Sequence, residues 1–90
     1  MKWKINILRG QIDKIDSKIV KLIDERLSVS IEIMKLKNEH GIPLHDPDRE
    51  AEVIQRAVEE TTLLPADEIQ LIYRTILNTT RKYLKKRYLF

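Results

Sequence analysis

The sequence predicts an all-α protein with one long, one short and one medium helix. Apolar residues recur at alternating spacings of three and four from Ile5 to Leu36, which is the pattern of a long amphipathic helix. Two segments that contain proline then separate two shorter patterns with helical spacing. No stretch of useful length alternates apolar and polar residues as a strand would. Ninety residues support one small domain, which we expect to span residues 1–90.

The first helix is long because its heptad seam continues through more than four repeats. The seam comprises Ile5, Leu8, Ile12, Ile15, Ile19, Leu22, Arg26, Val29, Ile33 and Leu36. We expect the helix to end near Gly41, so that about 36 residues form a rod about 54 Å long. A compact domain of this size is only about half as long, so the rod must lie along another element.

The boundaries of the next two helices follow from single residues. Asp46 is a suitable N-cap, and Pro47 suits the first position of the second helix, where its missing N–H is harmless. Pro65, Asp67 and Glu68 predict the start of the third helix. Its predicted apolar stripe consists of Ile69, Ile72, Tyr73, Ile76, Thr80 and Tyr83.

The composition limits the chemistry and the location of the protein. Without cysteine the chain forms no disulfide and no thiolate metal site, and a reducing cytoplasm fits best. Polar residues interrupt the N-terminal segment, so we expect neither a signal peptide nor a membrane span. The net charge is +3, with five cations close together at Arg81, Lys82, Lys85, Lys86 and Arg87. This cluster complements a helix C-terminus, although a nucleic acid or a membrane surface would attract the same charges.

Arg26 is the one charged member of the apolar seam. A buried guanidinium needs either an acidic partner, such as Glu50 or Glu52, or an anionic ligand. Lys37 follows eleven residues later, about 20° round the helix and about 16 Å along it. Two long cationic side chains on one stripe, with Ser30 between them, predict a site for a small anion.

Arg9 lies about 25 Å from Arg26 along the same rod, too far to reach the same ligand. In an antiparallel dimer of such rods it could complete the partner's site, whereas in a single chain it is an exposed solubilising charge. His40 and His45 have no metal-ligand spacing, and we interpret them as surface loop residues. With no nucleophile motif, phosphate loop or zinc motif, anion binding by clustered cations is the chemistry that remains.

Several short motifs, in order along nearly the whole chain, closely resemble the all-helical chorismate mutase family. They are LRGQIDKID at 8–16, LIDER at 22–26, KLK at 35–37, DPDRE at 46–50, IYR at 72–74 and TTR at 79–81. The resemblance implies an intertwined homodimer of three-helix chains with two shared active sites. It also implies the Claisen rearrangement of chorismate to prephenate in aromatic amino-acid biosynthesis, a pericyclic step that needs no cofactor or metal.

The resemblance also implies roles for individual residues. Arg26 and the partner's Arg9 would hold the two substrate carboxylates, and Lys37 would donate to the ether oxygen and a carboxylate. Asp46 and Arg49 would shape the pocket.

Three further positions follow from the same resemblance. Glu50 would accept a hydrogen bond from the ring hydroxyl. Thr80 stands where the family usually has a serine that contacts a carboxylate. Leu84 replaces the usual Gln or Glu, which shares the ether oxygen with the lysine, and losing such a donor costs about 10²–10³ in rate.

Three alternative functions stay open on the sequence. Isochorismate pyruvate lyase uses the same helical scaffold and cationic pocket. A weakly catalytic module that binds chorismate or mediates dimerisation is supported by Leu84. A basic helical nucleic-acid binder would account for the C-terminal cations but would leave Arg26 unexplained.

Overall fold

The computed structural model describes residues 1–88 and contains three helices. They are α1 (Lys2–Glu39), α2 (Pro47–Glu60) and α3 (Ala66–Tyr88), as the sequence predicts. The chain divides into two compact units, Met1–Glu32 and a second that starts at Ile33, so that the boundary falls within α1. Among the described residues, no helix is long and apolar enough to cross a membrane.

The end of α1 is fixed by a glycine. Gly41 has a φ of 67°, a left-handed conformation that favours glycine because other residues would bring Cβ against the backbone. The N–H of Ile42 donates to the carbonyl of Lys37 at 2.8 Å, and the N–H of Gly41 donates to that of Asn38 at 3.4 Å. These two hydrogen bonds form a Schellman motif, which satisfies carbonyls that the last turn would leave free.

The start of α2 is fixed by Asp46 and Pro47, and this confirms the predicted cap. A carboxylate oxygen of Asp46 accepts a hydrogen bond from the N–H of Arg49 at 3.1 Å, and proline occupies the first turn. At the other end, the hydroxyl of Thr61 accepts from the N–H of Leu64 at 3.2 Å, and this turn leads to α3.

In the second unit, α2 packs against α3. Its buried side chains are Met34, Ala57, Leu77 and Leu84. The predicted stripe of α3 is therefore partly wrong. Ile72 is 46% exposed, while Leu77 and Leu84, which the prediction omitted, are buried. Tyr73 and Thr80 of the predicted stripe are partly buried beside Leu77 and Leu84, so the packed face overlaps the predicted one.

In the first unit, no side chain of Met1–Glu32 is buried. Its seam residues, such as Ile12, Ile15 and Leu22, expose about half of their surface or more. An isolated helix is marginally stable in water, because most helical stability in proteins comes from packing of the apolar face. The seam of this unit thus needs a covering surface.

Candidate active site

Lys37 contacts the segment that leads into α2. Its ammonium Nζ donates a hydrogen bond to the carbonyl of Leu44 at 3.2 Å, and the side chain is partly buried. Since Leu44 precedes the N-cap Asp46 by only two residues, this bond holds the cation near the start of α2. Lys37 therefore lies in the same part of the fold as two predicted site residues of α2, Arg49 and Glu50.

Glu50 forms a paired contact with Arg81 of α3. Its two carboxylate oxygens accept hydrogen bonds from Nε of Arg81 at 3.3 Å and from Nη2 at 3.1 Å. The same Nη2 donates to the side-chain oxygen of Asn78 at 2.8 Å. Nε2 of His45 lies 3.9 Å from Glu50, with a side chain that is more than half exposed. The arrangement joins the first turn of α2 to the last part of α3.

Arg49 and Asp46 make local contacts. Arg49 pairs with Glu52, three residues later on α2, at 3.1 Å. The Arg49 side chain is 54% exposed, so solvent screening leaves this pair a small effect on stability. Asp46 serves as the N-cap of α2. Their predicted role in shaping a pocket stays a prediction.

Thr80 and Leu84 lie one turn apart on the same face of α3. The hydroxyl of Thr80 donates to the carbonyl of Ile76 at 2.8 Å, so its oxygen keeps acceptor capacity for another group. Leu84 is only 3% exposed and packs inside the second unit. The apolar side chain of Leu84 is therefore buried one turn after the Thr80 hydroxyl.

Arg26 and Arg9 belong to the first unit. The carbonyl of Arg26 accepts a hydrogen bond from the hydroxyl of Ser30 at 3.0 Å, while its guanidinium pairs with no acid within Met1–Glu32. Within the same unit, Arg9 is exposed and makes no ion pair. The two acids considered as partners of Arg26 have other partners, since Glu50 pairs with Arg81 and Glu52 with Arg49.

Arg81 contacts the predicted site residue Glu50, and the sequence analysis did not predict this contact. The sequence pattern groups it with the C-terminal cationic cluster, yet the structure places its guanidinium on Glu50. Another member of that cluster behaves differently, because Arg87 stacks on the ring of Tyr83 at 4.3 Å. The spacing along α3 is the signal that could have indicated this contact. Arg81 follows the buried Leu77 by four residues and therefore lies close to the packed face of α3.

A family model described as chorismate mutase type II matches residues 8–85. The chain belongs to this family. The match covers far more than half of the sequence and includes every residue for which the resemblance predicts a role.

Individual relatives agree with the family match. A chorismate mutase of Methanocaldococcus jannaschii is 39% identical over 87 residues, which is 96% of this chain and 88% of that protein. A bifunctional chorismate mutase/prephenate dehydratase of Aquifex aeolicus is 30% identical over 84 residues, 88% of this chain but 23% of that longer protein. A solved structure of the Thermus thermophilus chorismate mutase (form II) superimposes with a TM-score of 0.88 at 29% identity, covering 94% of this chain and 97% of that one.

These findings confirm the family and the all-helical fold predicted from the sequence. They place the protein among the chorismate mutases, which are isomerases. The roles of the individual side chains stay predictions.

Proposed function

We propose that the protein converts chorismate to prephenate. The observation that carries this proposal is the family match over residues 8–85, because it spans Arg9, Arg26, Lys37, Glu50 and Thr80 together. The M. jannaschii relative, which bears the name chorismate mutase, supports it over nearly the whole chain.

The reaction is an intramolecular rearrangement that requires no covalent bond between the substrate and the protein. The ether C–O bond of the substrate breaks while a C–C bond forms, and no proton, electron or co-reactant is exchanged. Negative charge develops on the ether oxygen in the transition state, and a preorganised cation stabilises that charge. Lys37 would supply this cation, because the carbonyl of Leu44 already holds its ammonium group in place. Arg26 and the partner's Arg9 would hold the substrate carboxylates and favour the reactive conformation.

The remaining positions would complete the pocket. Asp46 and Arg49 would shape it at the start of α2, and Glu50 would accept from the ring hydroxyl. On α3, Thr80 would contact a carboxylate and Leu84 would contact the substrate without donating a hydrogen bond.

We propose that the active form is a homodimer with shared sites. The exposed apolar seam of Met1–Glu32 supports this, because a second copy of the chain would cover it. Arg9 and Arg26 are about 25 Å apart along the helix, so a dimer would let each site use both cations.

The direct test is an assay for loss of chorismate with identification of the product. Prephenate as the product is the expected result. Release of pyruvate from isochorismate, without turnover of chorismate, would instead identify an isochorismate pyruvate lyase. Binding of chorismate with little or no turnover of either substrate would identify a binding module of weak catalytic activity.

Subunit complementation tests the shared site. Arg9→Ala and Lys37→Ala chains should each be inactive alone, and refolding them together should restore one intact site in every heterodimer. Random pairing makes about half of the dimers mixed, so we expect about a quarter of wild-type activity. No recovery above the two separate chains would contradict the shared-site arrangement.

We also propose a role in aromatic amino-acid biosynthesis in the cytoplasm. The A. aeolicus relative is named for two activities, chorismate mutase and prephenate dehydratase, and the second consumes the product of the first. The location stays a prediction from the absence of cysteine in the sequence.

A further inference from the structure

The contact between Arg81 and Glu50 has more hydrogen bonds and less solvent exposure than the Arg49–Glu52 ion pair. Two guanidinium nitrogens donate to the two carboxylate oxygens, at 3.3 and 3.1 Å, which fixes the orientation of the carboxylate plane. Asn78 accepts a third hydrogen bond from Arg81 at 2.8 Å and so orients the guanidinium. The side chains of Arg81 and Glu50 are only 31% and 26% exposed.

Glu50 alone would be a poor neighbour for the proposed substrate. Chorismate carries two carboxylates, and a free carboxylate near this dianion would repel it. The guanidinium of Arg81 lies 3.1 Å from the Glu50 carboxylate, and its positive charge offsets this repulsion. A carboxylate has about four lone-pair sites, so two remain after the two hydrogen bonds with Arg81. Glu50 can therefore still accept a hydrogen bond from a hydroxyl group.

We infer that Arg81 is a positioning residue of the active site, which orients the Glu50 carboxylate toward the substrate hydroxyl and neutralises its charge. This inference rests on the proposed function. Arg81 acts through Glu50 and needs no contact with the substrate. A charge that only stabilised the end of α3 would have no effect on catalysis through Glu50, and this difference makes the inference testable.

The first measurement compares steady-state kinetics of wild type and Arg81→Met with chorismate. A hydrogen bond made equally to substrate and transition state changes KM more than kcat. We expect KM to rise at least about tenfold and kcat to change less than about threefold. Arg81→Lys keeps the charge but loses the paired geometry, so its KM should lie between the two.

The second measurement is a double-mutant cycle with Glu50→Gln. If Arg81 acts through Glu50, Arg81→Met should change KM less than about threefold in the Glu50→Gln background. Lys82→Met is the matched control, because it removes one positive charge from the next, exposed position of α3. This control should retain the wild-type KM.

Three results would overturn the inference. They are an unchanged KM in Arg81→Met, an equal rise of KM in Lys82→Met, and additive effects of Arg81→Met and Glu50→Gln. If Arg81→Met does not fold, as judged by circular dichroism, Arg81→Lys decides, and a wild-type KM in that variant overturns the inference. Wild-type turnover is the separate test of the proposed function: its absence overturns both, whereas wild-type turnover with a silent Arg81 overturns the inference alone.

Discussion

Leu84→Gln restores a hydrogen-bond donor at a position where the family usually has one. The new amide would lie one turn after Thr80, on the same face of α3. If it reaches the ether oxygen beside Lys37, it would stabilise the charge that develops in the transition state. A hydrogen bond to a charged group contributes about 1.5–3 kcal/mol, and about 1.4 kcal/mol is a tenfold change in rate. We therefore expect kcat to rise at least about tenfold.

The same substitution has a cost in the free protein. Leu84 is 3% exposed, so its replacement buries an amide without a partner until substrate binds. An unpaired buried polar group costs about 1–3 kcal/mol. For a chain of this size, each kcal/mol lowers the melting temperature by about 4–8 °C. We expect the ligand-free variant to melt at least about 4 °C below wild type, and a transition-state analogue to recover part of this loss.

Leu77→Gln is the control for this experiment. Leu77 is also buried on α3, and no role in the site is predicted for it. It should lose stability in the same way, without any gain in kcat. The reasoning is refuted if Leu84→Gln behaves like this control, with a lower melting temperature and no faster turnover, because Leu84 would then only pack against the other helices.

Two further predictions concern Arg26 and the glycines. Arg26→Leu should leave the melting temperature unchanged or raise it, because no acid of its own unit pairs with Arg26. The same substitution should abolish binding of a transition-state analogue, as measured by calorimetry. A large loss of stability would instead indicate a structural ion pair. Gly41→Ala should lower the unfolding free energy by about 1–2 kcal/mol in urea titration, because Gly41 has a φ of 67°. Gly10 lies inside α1, and apart from adjacent residues and nearby helix backbone a new Cβ would meet no atom of the chain within 4 Å. Gly10→Ala should therefore raise the unfolding free energy by up to about 1 kcal/mol, and equal effects at both glycines would contradict the reasoning.

The helix boundaries could be predicted because they depend on local chemistry. Gly41 supplies the left-handed conformation that ends α1, and Asp46 with Pro47 supplies the cap and first turn of α2. Each signal is contained within a few residues, so no knowledge of the tertiary structure is needed. Arg26 is detectable for a similar reason, because a cation in the apolar seam stands out against a regular pattern, and Lys37 follows from its helical spacing to Arg26.

The packed face of α3 and the partner of Glu50 depend on contacts between distant residues. Ile72 and Leu77 are equally apolar, and only the packing of α3 on α2 decides that Leu77 is the buried one. Arg81 lies 31 residues from Glu50, within a run of similar cations that gives no indication of which one pairs. The sequence therefore shows which residues are charged, but the tertiary structure is needed to identify which cation pairs with Glu50.

The heptad seam connects stability and catalysis in the proposed dimer. Within Met1–Glu32 the apolar seam residues are about half exposed, so complete burial of one of them by a partner would contribute about half of the ~1.5–3 kcal/mol expected for a fully exposed apolar side chain. The same association would deliver Arg9 to the site of the other chain. Because Arg9 and Arg26 lie about 25 Å apart along α1, one chain cannot bring both cations to the same ligand while this helix is intact. Dilution that dissociates the dimer should therefore reduce helical structure and activity together. A monomer that stays active would contradict the proposed link between dimerisation and catalysis.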